Sequence, residues 1–335
     1  MAVTVKQIAK ELDISFQLVS AVLNNKSYCR ASKEKRKLIL DTAAKMGYVP
    51  NVNARVLAGK SSFILGVLAD LQAASPAAKI LAQLEKVASL AGFRLLIGGF
   101  HNKVDDIIFS YKLLKQHNVD GVFLISLDDL NYEKKLTDFF KDEKNIVVVR
   151  APLMNQHFCV EVDLISAFNN IVNELTASGK SNIHYIGENP DTHTALNDRV
   201  KGFSSAFEDA PKRLHYISNN TTSLTIDNLV ADDFIENIVK KEKIDALVIQ
   251  DDLIALQISS LLQKHNVKIP QEVAIVGCNN EPFVEHMFPS LSSINFNEEL
   301  VALSAMTLMQ KSLQNESVET IKILPNLVKR DSFSC

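Results

Sequence analysis

The stretch Val5-Lys6-Gln7-Ile8-Ala9-Lys10-Glu11-Leu12-Asp13-Ile14-Ser15-Phe16-Gln17-Leu18-Val19-Ser20-Ala21-Val22-Leu23-Asn24 decides how this chain is read. Ile8, Ala9 and Leu12 recur at helical spacing, as do Val19, Val22 and Leu23, with a tight polar turn between the two sets. Two short amphipathic helices joined in this way make a helix-turn-helix, whose second helix is shaped to enter the major groove of DNA. Thr4 and Gln7 form a T-x-x-Q capping box that starts the first helix near Val5, and Ser15 is a natural N-cap for the second. On the second helix Val19, Val22 and Leu23 take the core side, while Phe16, Gln17, Ser20 and Ala21 take the other. An outward Phe16 suits thymine methyl groups and Gln17 can pair with an adenine edge. The alternative for Phe16 is a staple packed into the small core.

Working outward, Ser32 caps a third helix from Lys33 to about Met46, with Leu38, Ile39, Thr42, Ala43 and Met46 facing the core and Gly47 ending it. Lys33, Lys35, Arg36 and Lys37 crowd its first turn, where the helix dipole disfavours cations. A phosphate backbone nearby would make that placement favourable; otherwise it is a solvated charge run. Pro50 then stops the chain, Asn53 can cap a helix of barely two turns, and Gly59 can end it. A helix so short forms well only against a partner, which makes it a candidate switch. The expected division is a head at 1–49, a hinge at 50–62 and a body at 63–335.

The chain has 335 residues and a net charge of −3, which conceals an asymmetry. Lys and Arg outnumber Asp and Glu by more than two to one in the first sixty residues, and the balance reverses beyond. A basic head on an acidic body suits contact with a polyanion at one end. Cys29, Cys159, Cys278 and Cys335 are scattered without a CxxC pair, which argues against a zinc site or disulfide frame and for a reducing compartment. No apolar run approaches ~20 residues, so a soluble cytoplasmic protein away from membranes is expected.

From Phe63 onward apolar runs alternate with helical patterns. Strands are expected at 63–68, 94–98, 120–125, 145–149, 183–186, 214–217, 246–249 and 273–277, and helices at 77–90, 104–117, 131–141, 164–178, 198–209, 226–241 and 253–264. Continuous apolar strands alternating with helices mean parallel sheets covered on both faces. Two rounds mean two doubly wound subdomains, N at about 63–161 and 293–319, and C at about 162–292 and 320–335. The cleft between them, beyond the carboxyl ends of the strands, is the natural small-molecule site. No phosphate-binding loop, dinucleotide fingerprint, zinc-protease motif or nucleophile elbow is present, so no catalysis, cofactor or metal is expected. His184 and His215 fall in strands as core or edge residues, and His193 falls in a polar loop. The Asp251-Asp252 pair reads either as an acid pair or, for Asp252, as a helix N-cap.

The head resembles that of the LacI/GalR (lactose- and galactose-repressor) family. The segments that carry the likeness are V-x-x-I-A-x-x-L at Val5–Leu12, Val19-Ser20, Val22-Leu23-Asn24, Gly47-Tyr48-x-Pro50-Asn51, Ala54-Arg55 and Leu57-Ala58-Gly59-Lys60. The resemblance implies a homodimeric DNA-binding transcription regulator, repression being the family default. It puts the DNA contacts on Thr4, Ser15, Phe16, Gln17, Ser20, Ala21, Asn24, Tyr48, Asn51, Ala54, Arg55 and Leu57. The segment from Asn53 to Ala58 looks like the family's hinge helix, with Leu57 as a wedge in the minor groove or as a cap on the body. Leu18 stands where Thr is usual, and Ala21 where an Arg usually reads guanine or clamps phosphate, so the operator should differ from the common one.

The likeness runs on to the C-terminus through Val162-Asp163, Arg199-x-x-Gly202-Phe203, Asp252-x-x-Ala255-Leu256, Val276-Gly277 and Pro289-x-Leu291-x-x-Ile294. This part is similar to periplasmic sugar-binding proteins and implies an effector domain of that type. Arg199 matches the arginine that bonds a sugar or purine, with an ion pair between lobes as the alternative. Asp251 stands where Asn is common, and Asn279 where a ligand-binding Asp is typical. Asp70 and Asp163 line the same rim. The expected partners are double-stranded operator DNA, a small polar effector and a second copy of the chain. A sugar-sensing module acting through protein contacts, and a sugar-acting enzyme, are the alternatives.

Overall fold

The computed structural model describes residues 3–24, 26, 29–48, 56, 59–70, 76–100, 103–125, 133–150, 157–189, 194–218, 225–227 and 229–333. The chain forms two compact units, Met1–Ser62 and Phe63–Cys335. Among the described residues no helix is long and apolar enough to cross a membrane.

The first unit carries helices α1 (Val5–Leu12), α2 (Phe16–Leu23) and α3 (Lys33–Lys45). The capping box is complete: the Thr4 amide donates to Gln7 Oε1 at 2.8 Å, and the Thr4 hydroxyl accepts the Gln7 amide at 3.4 Å. Asp13 ends α1 in the left-handed region at φ 50°, which a short polar side chain tolerates. Ser15 and Ser32 then cap α2 and α3, accepting the Leu18 and Lys35 amides at 3.3 and 3.2 Å. Ile8, Ala9, Val19, Val22, Ile39 and Ala43 form the buried core, which follows the apolar spacing of the three helices.

Two positions depart from the sequence reading. Leu38 is 50 % exposed, because the core-facing stripe of α3 narrows to Ile39 and Ala43, four residues apart, and Leu38 lies one step round the helix. Ala21 was expected on the outer side of α2 but is only 7 % exposed. Beyond α2 the chain folds back, and the Lys26 amide donates to the Ala21 carbonyl at 2.9 Å.

The second unit runs β1 (Ile64–Asp70), α4 (Pro76–Leu90), β2 (Arg94–Phe100), α5 (Val104–Gln116), β3 (Gly121–Ile125), α6 (Glu133–Phe140), β4 (Ile146–Arg150) and β5 (Phe158–Val162). It continues through α7 (Leu164–Ala177), β6 (Ile183–Glu188), α8 (Thr194–Ser204), β7 (Leu214–Ser218), β8 (Thr225–Ile226), β9 (Leu229–Val230) and α9 (Ala231–Phe234). It ends with β10 (Ala246–Ile249), α10 (Asp252–Lys264), β11 (Ala274–Cys278), β12 (Ser292–Asn295), α11 (Glu298–Leu313), β13 (Thr320–Ile323) and β14 (Asn326–Val328).

The strands form two sheets, β13-β5-β4-β3-β1-β2 and β14-β12-β11-β10-β6-β7-β8-β9. The first is parallel throughout, and in the second only β14, β8 and β9 run against their neighbours. Burial explains the apolar runs: every residue of β3, β10 and β11 is buried, as helices on both faces require. Each sheet has the doubly wound order, and strand order reverses between β1 and β3 in one and between β6 and β10 in the other.

Pairing moves the lobe boundaries. The sequence reading put β12 in the first lobe from residue 293 and residues 320–335 in the second. Ser292–Asn295 pairs with β11 in the second sheet, and Thr320–Ile323 pairs with β5 in the first. The chain therefore crosses between lobes after Val162, Asn295 and Ile323. The expected helix at 226–241 gives way at its start to the β8–β9 hairpin, followed by α9 and a π-helical turn at Ile235–Val239. The helix expected from 198 to 209 begins at Thr194 and ends at Ser204.

Candidate functional site

In the first unit, capping fixes which side chains remain outward. Phe16 is 46 % exposed and Gln17 is exposed, both in the first turn of α2. Phe16 thus lies outside the buried core. The hydroxyls of Thr4 and Ser15 serve as helix caps, so their exposed residues reach outward only from those positions. Ser20 is half-buried, and Asn24 Nδ2 donates to the Ser20 carbonyl at 2.9 Å, closing the end of α2. Tyr48 packs against the core, and its amide donates to the Ala43 carbonyl at 2.9 Å. Lys33, Lys35 and Lys37 are exposed at the start of α3, with Arg36 half-buried. Asn51, Ala54, Arg55 and Leu57 lie outside the described residues. Of that segment Val56 is helical, and its carbonyl accepts the Gly59 amide at 2.8 Å where Gly59 turns at φ 69°.

In the second unit, ligands of a doubly wound sheet lie beyond the strand ends at the order reversal. Asp70 ends β1 opposite Phe100; its side chain lies outside the described ones. On the facing lobe, Gln250 Oε1 accepts the Glu188 amide at 2.6 Å and so bridges the ends of β6 and β10. Asp251 follows and caps α10, accepting the Ile254 amide at 2.9 Å. Its helix therefore starts one residue earlier than the Asp252 cap of the sequence reading. Asp252 is fully buried instead and accepts from Ser293 Oγ at 2.6 Å and the Glu281 amide at 2.8 Å. Burial pushes its carboxyl up to about 7, against those two donors.

Arg199, 6 % exposed on α8, hydrogen-bonds the Cys278 thiol and interacts electrostatically with the Tyr185 phenol. Asp251 acts on the same two groups. Burial raises both acids, the thiol to about 11. Arg199, Asp251 and the end of β11 are thus brought together around Tyr185. Asn279, next in the chain, turns at φ 106°, and its Oδ1 is buried without a hydrogen-bond partner, as is the Tyr185 hydroxyl. Leaving a buried polar atom unpaired costs of order 1–3 kcal/mol. Tyr185, Gln250 and Cys278 were missed in the sequence because each sits in or beside an apolar strand run. A tyrosine within such a run is the one available signal, since its hydroxyl needs a partner.

Asp163 makes its contacts elsewhere. It caps α7, accepting the Ser166 amide at 3.0 Å, and pairs with Lys322 at 3.2 Å. Burial would raise its carboxyl, but the Ser166 amide and Lys322 hold it below the usual carboxylate range. Its own amide donates to the Ile323 carbonyl at 2.8 Å, so Asp163 ties two of the three crossing segments together. Arg150, at the end of β4, stacks its guanidinium 5.5 Å from the Phe296 ring just after the second crossing. Among the described residues no group of three His, Cys, Asp or Glu side chains could hold a metal ion.

Residues 172–333 match the model of the periplasmic binding protein-like domain. Catabolite control protein A of Priestia megaterium is 26 % identical over 98 % of both chains. The sucrose operon repressor of Streptococcus mutans is 25 % identical over 97 % of both. Among solved structures, the lac repressor dimer bound to operator and the anti-inducer ONPF superposes with a TM-score of 0.81 at 19 % identity, covering 100 % of both chains. With its capped three-helix head and its two doubly wound lobes, the chain is similar from end to end to these regulators, and its residues 172–333 carry the periplasmic binding protein-like domain.

Proposed function

We propose that the protein is a homodimeric, sequence-specific DNA-binding regulator of transcription, and a repressor in direction. A small polar ligand held between its lobes, a sugar or a related metabolite, sets its affinity for operator DNA. The observation that carries this reading is the start of α2: a capped helix-turn-helix that presents Phe16 and Gln17 outward while Val19 and Val22 fill the core. Phe16 suits thymine methyls, Gln17 suits adenine, and the lysines that open α3 suit phosphate. Asn51, Ala54, Arg55 and Leu57 are assigned to the same interface, Leu57 as its minor-groove wedge. Two copies would read a pseudo-palindrome with matching two-fold symmetry.

The ligand site is assigned to Arg199, Asp251 and Asn279, with Asp70 and Asp163 at the rim. Arg199 offers donors, and Asp251 and the Asn279 oxygen accept, a set suited to hydroxyl groups. A differential affinity for two lobe arrangements of 1–3 kcal/mol, roughly 5- to 150-fold, is enough to switch DNA binding. The sucrose operon repressor and the CelR–cellobiose complex are relatives whose names carry the same sugar chemistry.

Selection of bound duplexes from random DNA, followed by anisotropy at several salt concentrations with and without a panel of sugars, tests the proposal. A palindromic site whose affinity falls with salt and shifts with one sugar supports it. No duplex binding at low salt by the folded protein overturns it. Binding of a sugar without binding of DNA would instead favour a sensor acting through protein contacts.

A further inference from the structure

Lys79 stands in the first turn of α4, where the helix dipole disfavours a cation. What compensates lies mostly on the other lobe. Its ammonium donates to the Asn279 carbonyl, lies 3.6 Å from Glu281 Oε1, and lies 2.9 Å from Glu298 Oε1 at the start of α11. Helix α4 flanks the first sheet and α11 packs on α4, whereas Asn279 and Glu281 follow β11 of the second sheet. All three side chains are largely buried, at 26 %, 16 % and 12 % exposure for Lys79, Glu281 and Glu298. The two glutamate oxygens have no hydrogen-bond partner and are buried, so the lysine charge is what holds them.

We propose that Lys79 is a positioning residue of the cleft: it straps the turn at Asn279–Glu281 to the first lobe and so sets the lobe separation and the aim of Asn279 when no ligand is bound. Two carboxylates share one cation. Without Lys79 they face each other nearly dry, and their repulsion drives the lobes apart. A guest that bonds Asn279 competes with or reinforces this strap, which makes it the element that a ligand acts upon. The turn is held on its own lobe as well, through the Glu281 amide on Asp252 and through Arg330, which donates to Asn280 Oδ1 at 2.8 Å. It therefore moves with the second lobe as one piece. The link to ligand and DNA control rests on the regulator reading above; the strap itself does not.

Amide hydrogen exchange on the full-length protein without ligand tests it. In Lys79→Met and in Glu281→Gln, exchange of the 279–284 segment and of the first turns of α4 should rise roughly tenfold, the equivalent of 1.4 kcal/mol. Lys79→Arg should restore protection, and the double variant should be no faster than either single one. Unchanged protection of 279–284 in Lys79→Met, with β6 and β10 still protected, overturns the strap, as does simple additivity of the two variants. Should Lys79→Met fail to fold, Glu281→Gln decides alone by the same readout. DNA affinity measured on the same samples reports separately: loosened lobes with no DNA binding in any variant or in the parent would leave the strap standing and sink the regulator reading.

Discussion

His184 Nδ1 lies 2.8 Å from His215 Nε2, and the two ring planes are 8° from parallel. The chain of contacts extends on both sides. His215 Nδ1 is 2.6 Å from Asp227 Oδ2, and His184 Nε2 is 3.0 Å from Asn182 Oδ1. The Asn182 amide is oriented by its Nδ2, which donates to the Glu242 carbonyl at 2.8 Å. Oδ1 therefore faces His184, whose Nε2 must carry the proton. His184 Nδ1 then accepts from His215 Nε2, and His215 Nδ1 faces the Asp227 carboxylate. The relay staples the β7–β8 hairpin to β6.

The relay makes the protein acid-sensitive. Burial, and then the charge on His215, lower His184 to about 4. An unfolded histidine titrates near 6.5, so the native state binds fewer protons between those values. The stabilisation is complete above about pH 6.5 and is lost as pH falls through the depressed value, up to roughly 3 kcal/mol. Urea unfolding from pH 7 to pH 4.5 should show this loss, and His184→Gln should flatten it. An unchanged slope in that variant would remove the relay from the explanation.

Asp252 works in the opposite sense. Its carboxyl is raised by burial to about 7, above the unfolded carboxylate value. The native state thus holds the extra proton, and this stabilisation is present at acid pH and is lost as pH rises through 7. Asp252→Asn cannot ionise, so in a His184→Gln background, where the relay is silent, its melting temperature should stay level from pH 5.5 to 8.5 while His184→Gln alone falls. Equal pH profiles for the two proteins would show that the group is already ionised in the native state.

Periodicity made the helices of the head and the alternating lobes legible, because Ile8, Val19 and Ile39 or the runs in β3 and β10 each satisfy one local rule. Ile226, Leu229 and Val230 mislead by the same rule, since their spacing suits a helix. Asp227 overrides it by turning at φ 50° and accepting from the Tyr216 amide at 2.8 Å and from His215, which closes a hairpin. That partner is eleven or twelve residues away and leaves no periodic trace. Ala21 shows the matching limit on the site: helical phase put it outward, but it is only 7 % exposed. Arg199 and Asn279 were singled out only through the family likeness. Lys79 was not, because its partners lie some 200 residues away in sequence.

Glycine at 202 is required by packing rather than by backbone conformation. A Cβ there would meet the Ile165 carbonyl oxygen at 2.3 Å, and that neighbour is backbone, which cannot swing aside. Gly202→Ala must separate α7 from α8, a pair joined also by Asn169 Nδ2 donating to Ser205 Oγ at 2.8 Å. A loss of about 1–3 kcal/mol is expected in denaturant unfolding, as for other overpacked cores. Stability within 0.5 kcal/mol of the parent would mean that the two helices are less tightly joined than this geometry states.

Gln17 and Lys35 separate base reading from phosphate contact. Gln17 is exposed and outside the core, so Gln17→Ala should leave unfolding within about 0.5 kcal/mol of the parent. If its amide pairs with an adenine, the variant should lose about 1–3 kcal/mol of discrimination at one base pair of each half-site. Its salt dependence should not change, since no phosphate charge is neutralised. Lys35→Ala should behave in the reverse way, weakening all duplexes alike and reducing the salt slope by about one. Anisotropy titrations against the selected site and its single-base variants, each at three salt concentrations, distinguish the two. A Gln17→Ala protein that weakens every sequence equally would place α2 along the backbone instead of in the groove.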